Sequence, residues 1–192
     1  MNKYLLIFFV LFTLNVAAQD DEKIDDDQTN WKYIFIDIGY GSRGPGGALG
    51  FRYWNIGASV GATGFASDIP KTANIYPGDN INIGDLPTKK YPSNIVFGDF
   101  IAFYDINLDY TIFAGIGFYS AIDTILAYRE VQGITTYYKK AAETSSGITY
   151  NLGIQTSLYF LNEDNYLLDQ IVAGLGYHSK LGLFLRISYR WE

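Results

Sequence analysis

From Trp31 to the C-terminus, apolar side chains alternate with small or polar ones in stretches of roughly ten residues, the period of a strand with two unlike faces. The clearest stretch is LGLFLRISYRW, residues 181–191. Leu181, Leu183, Leu185, Ile187, Tyr189 and Trp191 share one side; Gly182, Phe184, Arg186, Ser188 and Arg190 share the other. An arginine at the middle of a bilayer costs roughly 2–4 kcal/mol, so the greasy side is expected to meet lipid and the guanidinium groups an enclosed lumen. The same separation runs through KYIFIDIGY, with Ile34, Ile36, Ile38 and Tyr40 against Tyr33, Phe35, Asp37 and Gly39. In ALGFRYW it sets Leu49, Phe51 and Tyr53 against Arg52, and in IGASVGATGF it sets Ile56, Ala58, Val60 and Ala62 against Gly57, Ser59, Gly61 and Thr63. LDYTIFAGIGF opposes Leu108, Tyr110, Ile112, Ala114, Ile116 and Phe118 to Asp109, Thr111, Gly115 and Gly117. SSGITYNLGIQTSLYFL opposes Tyr150, Leu152, Ile154, Leu158 and Phe160 to Asn151, Gly153, Gln155 and Ser157. A further strand spans about Tyr166 to Tyr177. In IVFGDFIAFY, turning Asp99 inward sends Val96, Phe100, Ala102 and Tyr104 outward but also buries Phe103, which leaves that register open by one residue.

These segments predict an all-β, eight-stranded, antiparallel up-and-down barrel spanning a membrane. Short turns are expected near Asn55, at Asp105 to Asn107 and at Asn162 to Asn165, on the side of the termini. Longer links, from about 66 to 93 and from about 128 to 146, fall on the opposite, extracellular side, with brief ones at Ser42 to Gly46 and Ser179 to Lys180. Composition agrees: 17 Tyr, 13 Phe and 3 Trp beside 20 Gly combine β-favouring aromatics with helix-weakening glycines.

Residues 1–19 place Lys3 ahead of an apolar run from Tyr4 to Leu14 and then the small Ala17 and Ala18, the pattern of a cleavable secretory signal. That run is shorter than the ~20 apolar residues of a spanning helix. Residues 20–30 form an acidic leader, expected to be solvated, and residues 31–192 the barrel. With a formal charge of −6 and no cysteine, the chain offers neither the basic patch of a nucleic-acid binder nor a disulfide or thiolate metal site.

The segment pattern resembles the small eight-stranded outer-membrane proteins typified by OmpX and the transmembrane domain of OmpA. The resemblance runs from about Trp31 to Trp191 and includes a last strand of alternating aromatics, here followed by Glu192. It implies export to a bacterial outer membrane, insertion by the barrel-assembly machinery, contact with outer-membrane lipid and lipopolysaccharide, and a monomeric state. Asp37, Arg52, Asp99, Asp109, Gln155, Arg186 and Arg190 fall on predicted inward faces, and a polar network among them is expected to close the lumen. Trp31, Tyr40, Tyr53, Trp54, Tyr119, Tyr177, Tyr189 and Trp191 fall near strand ends, where interfacial girdles sit.

Catalytic chemistry is thin. His178 is the single histidine and precedes Ser179. Barrel deacylases of lipid A carry a His and a Ser one residue apart, on the same strand face, whereas adjacent residues point to opposite faces. A polar histidine at the rim is the expectation. One histidine also falls short of a metal ligand set, and no cofactor is expected. Gly44, Gly46 and Gly47 lack the Lys-Ser/Thr of a phosphate loop and read as a turn. Lys89 with Lys90 and Lys139 with Lys140 form two basic pairs in the long links, read as solvated charge or as contacts for lipopolysaccharide phosphate. The leading expectation is a non-enzymatic barrel with an envelope or surface role through links 66–93 and 128–146. A lipid-modifying enzyme and a secreted, lipocalin-like carrier are the alternatives.

Overall fold

The computed structural model describes residues 32–64, 69–73, 81–106, 110–158 and 170–191. The signal, the acidic leader, Trp31, Asp109, the turn at Asn162 to Asn165 and the start of the seventh strand before Gln170 lie outside these residues. The strands are β1 (Lys32–Gly41), β2 (Gly44–Tyr53), β3 (Ile56–Thr63), β4 (Thr88–Asp105), β5 (Tyr110–Val131), β6 (Ile134–Ser157), β7 (Ile171–His178) and β8 (Gly182–Trp191). Each pairs antiparallel with the next, and β8 closes the ring on β1 with Arg186 opposite Asp37.

Alternation puts the apolar row outward. Ile38, Phe100, Phe118 and Leu183 are 62–76% exposed, while their neighbours Asp37, Asp99, Gly117 and Phe184 are buried. Asp99 and Phe103 both point inward, which resolves the register of β4. The abundance of both Phe and Gly has one cause inside the barrel. Phe35, Phe97, Phe103, Phe113 and Phe184 form the core with Ile95, Ile101 and Leu181, and each ring lies on a glycine of another strand. A Cβ at Gly50 would sit 2.2 Å from the Phe35 ring, at Gly61 2.5 Å from Phe97, at Gly153 2.3 Å from Phe113 and at Gly176 2.4 Å from Phe184. An eight-stranded ring has little interior width, so bulky rings fit only where the facing position has no side chain.

Four expectations change. Residues 128–146 are not a loop: β5 and β6 stay paired from Tyr110 and Thr156 out to Val131 and Ile134, joined at Gln132 and Gly133, whose φ values are 53° and 78°. Thr88 to Ser93, assigned to the other long link, belongs to β4 and pairs with β5 as far as Thr88 opposite Ala127. Beyond the apolar band both sheet faces are free to be polar, so the alternation that reveals a strand fades there. Leu181 is buried rather than outward, because it precedes the turn glycine Gly182 (φ 73°) and swings in over the lumen. Tyr119 lies on the inward row of β5 and packs against the core instead of joining an outer girdle.

Candidate functional site

The predicted inward charges are grouped in separate clusters with phenylalanines between them. Midway along the barrel, Arg186 donates from Nε to Asp37 Oδ1 at 2.7 Å and from Nη2 to Asp37 Oδ2 at 2.8 Å, a two-pronged pair. The guanidinium lies 3.9 Å from the ring centroid of Phe35 and 4.0 Å from that of Phe113, so its faces meet π-electrons rather than water. At the end holding the strand termini, Arg52 donates to Trp54 O and to Asp105 Oδ2, both at 2.6 Å, and Asp105 Oδ1 accepts from Thr111 at 2.6 Å. Arg190 hydrogen-bonds Tyr33 at this same end. Gln155 is buried beside these groups on the inward row of β6.

Toward the opposite end, Asp99 accepts from Thr149 at Oδ1 and faces His178 Nε2 at 3.0 Å through Oδ2. His178 is 2% exposed, not a rim residue. Its Nδ1 accepts the backbone N–H groups of Lys180 at 3.1 Å and Leu181 at 2.9 Å, so the proton of a neutral ring sits on Nε2 and goes to Asp99. The ring also packs on Phe97, with centroids 4.3 Å apart. Both nitrogens are therefore committed, and the side chain ties the β7–β8 turn to the lumen wall.

A fourth cluster ties down the far rim. Arg43, in the β1–β2 turn, reaches Asp123 on β5 and also bonds the carbonyls of Ser93 and Ile122. Lys90 bridges Asp123 at 3.0 Å and Glu143 at 2.8 Å. Burial opposes ionisation of Asp123, but the hydrogen bonds from Lys90 and Arg43 outweigh it and hold the carboxyl below its ordinary range. Lys180 caps the same mouth with Nζ 3.8 Å over the Tyr119 ring.

Of the expected girdle, Tyr40, Tyr53, Trp54, Tyr177 and Tyr189 are exposed on the outer surface near strand ends. The backbone of Trp191 ends β8 opposite Lys32. His178, Thr149, Asp105, Arg43 and Asp123 were not among the predicted lumen residues. The parity of β7 does turn His178 inward once Tyr177 is outward. The sequence pattern puts Arg43 and Asp105 in turns and Asp123 past the expected end of its strand.

Past the ring, β4, β5 and β6 continue as a three-stranded extension with two unlike edges. Beyond its pairing with β3, β4 carries Lys89, Lys90, Pro92 and a bulge between Pro92 and Ile95. Such features block strand addition. β6 pairs with β7 only over Asn151–Ser157, so from Ile134 to Tyr150 no strand lies on its second side among the described residues. Thr72 bridges Tyr137 there in the parallel sense. The remaining stretch, Ala141 to Ser146, is exposed and consists of small residues apart from Glu143.

The fold is a closed eight-stranded barrel. No protein-family model matches the sequence, and no curated protein matches it. Among solved structures it is similar to the N-terminal β-barrel domain of Pseudomonas aeruginosa OprF, at 8% identity and a TM-score of 0.46, over 85% of this chain and 98% of that one. It is also similar to Ail, the attachment invasion locus protein of Yersinia pestis, at 13% identity and a TM-score of 0.43, over 84% and 97% of the two chains. For Neisserial surface protein A the values are 12% identity, a TM-score of 0.36, and 84% and 95% coverage.

Proposed function

We propose that the chain is a non-enzymatic barrel of a bacterial outer membrane, which presents the β4–β5–β6 extension at the cell surface to bind a partner or brace the envelope. One observation supports this above the rest. Among the described residues the outward row of the ring carries no charge apart from Lys32 at the very start of β1, from Ile34–Tyr40 on β1 to Leu183–Tyr189 on β8, while Asp37, Asp99 and Arg186 are enclosed. A water-soluble protein with so continuous an apolar surface would aggregate, and a soluble carrier needs the opposite arrangement. The outer lipid, including lipopolysaccharide, is then the barrel's solvent, the barrel-assembly machinery inserts it, and it works as a monomer whose clustered lumen passes no ions.

The extension suits a surface role because, among the described residues, the β6 edge between Tyr137 and Tyr150 has no strand beside it and can pair with an extended polypeptide segment. The lipid-hydrolase alternative gains no support from His178, whose nitrogens are both engaged below the rim. Cell fractionation with heat-modifiable gel mobility tests the reading. The protein should partition with the outer membrane and migrate faster unboiled than boiled. Protease added to intact cells should cut within 81–87 or at Gln132–Gly133 and spare Trp54–Asn55. A soluble periplasmic product, or cleavage at Trp54–Asn55 alone, would overturn it.

A further inference from the structure

The four lysines of the extension are not equivalent. Lys90 points inward to Asp123 and Glu143, and Lys140, at the β6 irregularity, donates to Gly84 O at 3.2 Å. Lys89 and Lys139 instead stand opposite Leu126 on neighbouring strands, so all three share the outward row, the lysine Cα atoms two strand spacings or roughly 10 Å apart. Around Leu126, which is fully buried, lies a tyrosine platform. Tyr91 meets Tyr137 edge-on at 6.0 Å between centroids, Tyr128 lies 6.3 Å from Tyr137, and Lys89 Nζ is 5.4 Å from the Tyr91 centroid. A hydrogen bond with Tyr137 pushes the Tyr91 phenol up to about 12, which ties the two rings together.

Acids lie mainly on the inward face, with Glu130 near the tip the outward exception. From Phe118 up to Tyr128 on β5 and from Ile148 up to Tyr137 on β6, the outward row reads Ser120, Ile122, Thr124, Leu126 and Ser146, Thr144, Ala142, Lys139, with no acid. Asp123 and Glu143 both turn inward. This row is the upward continuation of the apolar band. Leu126 stands eight residues past Phe118, roughly 25 Å along the strand.

We propose that Lys89, Lys139, Tyr91 and Tyr137 form a binding site for the anionic saccharide of the outer-leaflet glycolipid, an inference that rests on the membrane reading above. A glycan rising from the leaflet lies directly along this row. Its pyranose C–H faces pack on the tyrosine rings, and its acidic substituents pair with the two ammonium groups.

The test uses the full chain folded in phospholipid nanodiscs free of glycolipid. It is titrated calorimetrically with delipidated, phosphorylated core oligosaccharide. Wild type should bind. The K89Q/K139Q double variant should bind about tenfold more weakly or worse, and K140Q, at the neighbouring lysine that donates to Gly84 O, should stay within about twofold. Dephosphorylated oligosaccharide should lose most of the affinity. Absence of wild-type binding, equal losses in K89Q/K139Q and K140Q, indifference to dephosphorylation, or equal binding of a single-stranded DNA of matched charge would each overturn the site. Heat-modifiable mobility confirms that each variant is folded. Because the barrel is already in a bilayer, failure here removes the site and leaves the membrane reading standing.

Discussion

At the scale of single residues, the interior is a set of exact fits between rings, glycines and paired charges. Gly176→Ala would drive a methyl into the Phe184 ring, 2.4 Å from the new Cβ, whereas Gly98→Ala meets nothing nearer than Ser59 O at 3.6 Å. In urea unfolding from lipid vesicles the first should cost about 1–3 kcal/mol and the second should be near neutral. Equal effects would contradict the ring-on-glycine packing. Asp37→Ala strands the Arg186 guanidinium among phenylalanines and should cost about 3–5 kcal/mol, while the double variant Asp37→Leu with Arg186→Met should recover most of that loss. A single variant as stable as wild type would show that the pair is not enclosed. Parity alone placed Asp37, Arg52, Asp99, Gln155 and Arg186 on inward faces, because a charge between greasy neighbours has one tolerable direction. It did not show which acid meets which base. The ring register and turn geometry decide that, as with Asp105 reaching back to Arg52.

At the scale of elements, strands were legible only where lipid forces their faces to differ. β1, β3 and β8 follow the expected segments closely; β2 starts early, so that Gly44, Gly46 and Gly47 are paired strand residues rather than a turn, and β4, β5 and β6 run far beyond their segments. In KKAAETSSG neither face meets hydrocarbon, and composition there resembles a loop although the backbone is paired to its tip. The extension is anchored at its base by Asp123, whose ionised form is favoured by Lys90 and Arg43. Since its folded value lies below the ordinary carboxylate value of about 3.9, the linkage contributes stability above that pH and loses it as pH falls through the lowered value. Hydrogen exchange across Ser120–Leu126 and Ala141–Ser146 should therefore be steady from neutral pH down to about 4 and accelerate below it, after correction for intrinsic rates. Asp123→Asn should loosen the same amides at neutral pH and abolish the acid step. Loosening already between pH 7 and 5, or an unchanged Asp123→Asn profile, would contradict the anchoring role.

At the scale of the whole molecule, one division organises everything else: hydrocarbon outside, charge enclosed, and a paired sheet standing past one rim. The proposed closure of the lumen rests on it. With Arg186, Asp37 and five phenylalanines filling the ring, planar-bilayer recordings of the purified protein should show no steady conductance, and a large stable current would require a different interior. The division itself can be read directly because the chain has no cysteine. Spin labels attached singly after Leu183→Cys, Phe184→Cys, Leu185→Cys, Ile187→Cys and Ser188→Cys, in the protein folded into bilayers, report collisions with oxygen and with a water-soluble nickel complex. Labels at 183, 185 and 187 should be mobile, oxygen-accessible and shielded from nickel, with 184 and 188 immobile and poorly accessible to both. High nickel accessibility at 185, or labels at 183, 185 and 187 immobilised like those at 184 and 188, would contradict the account.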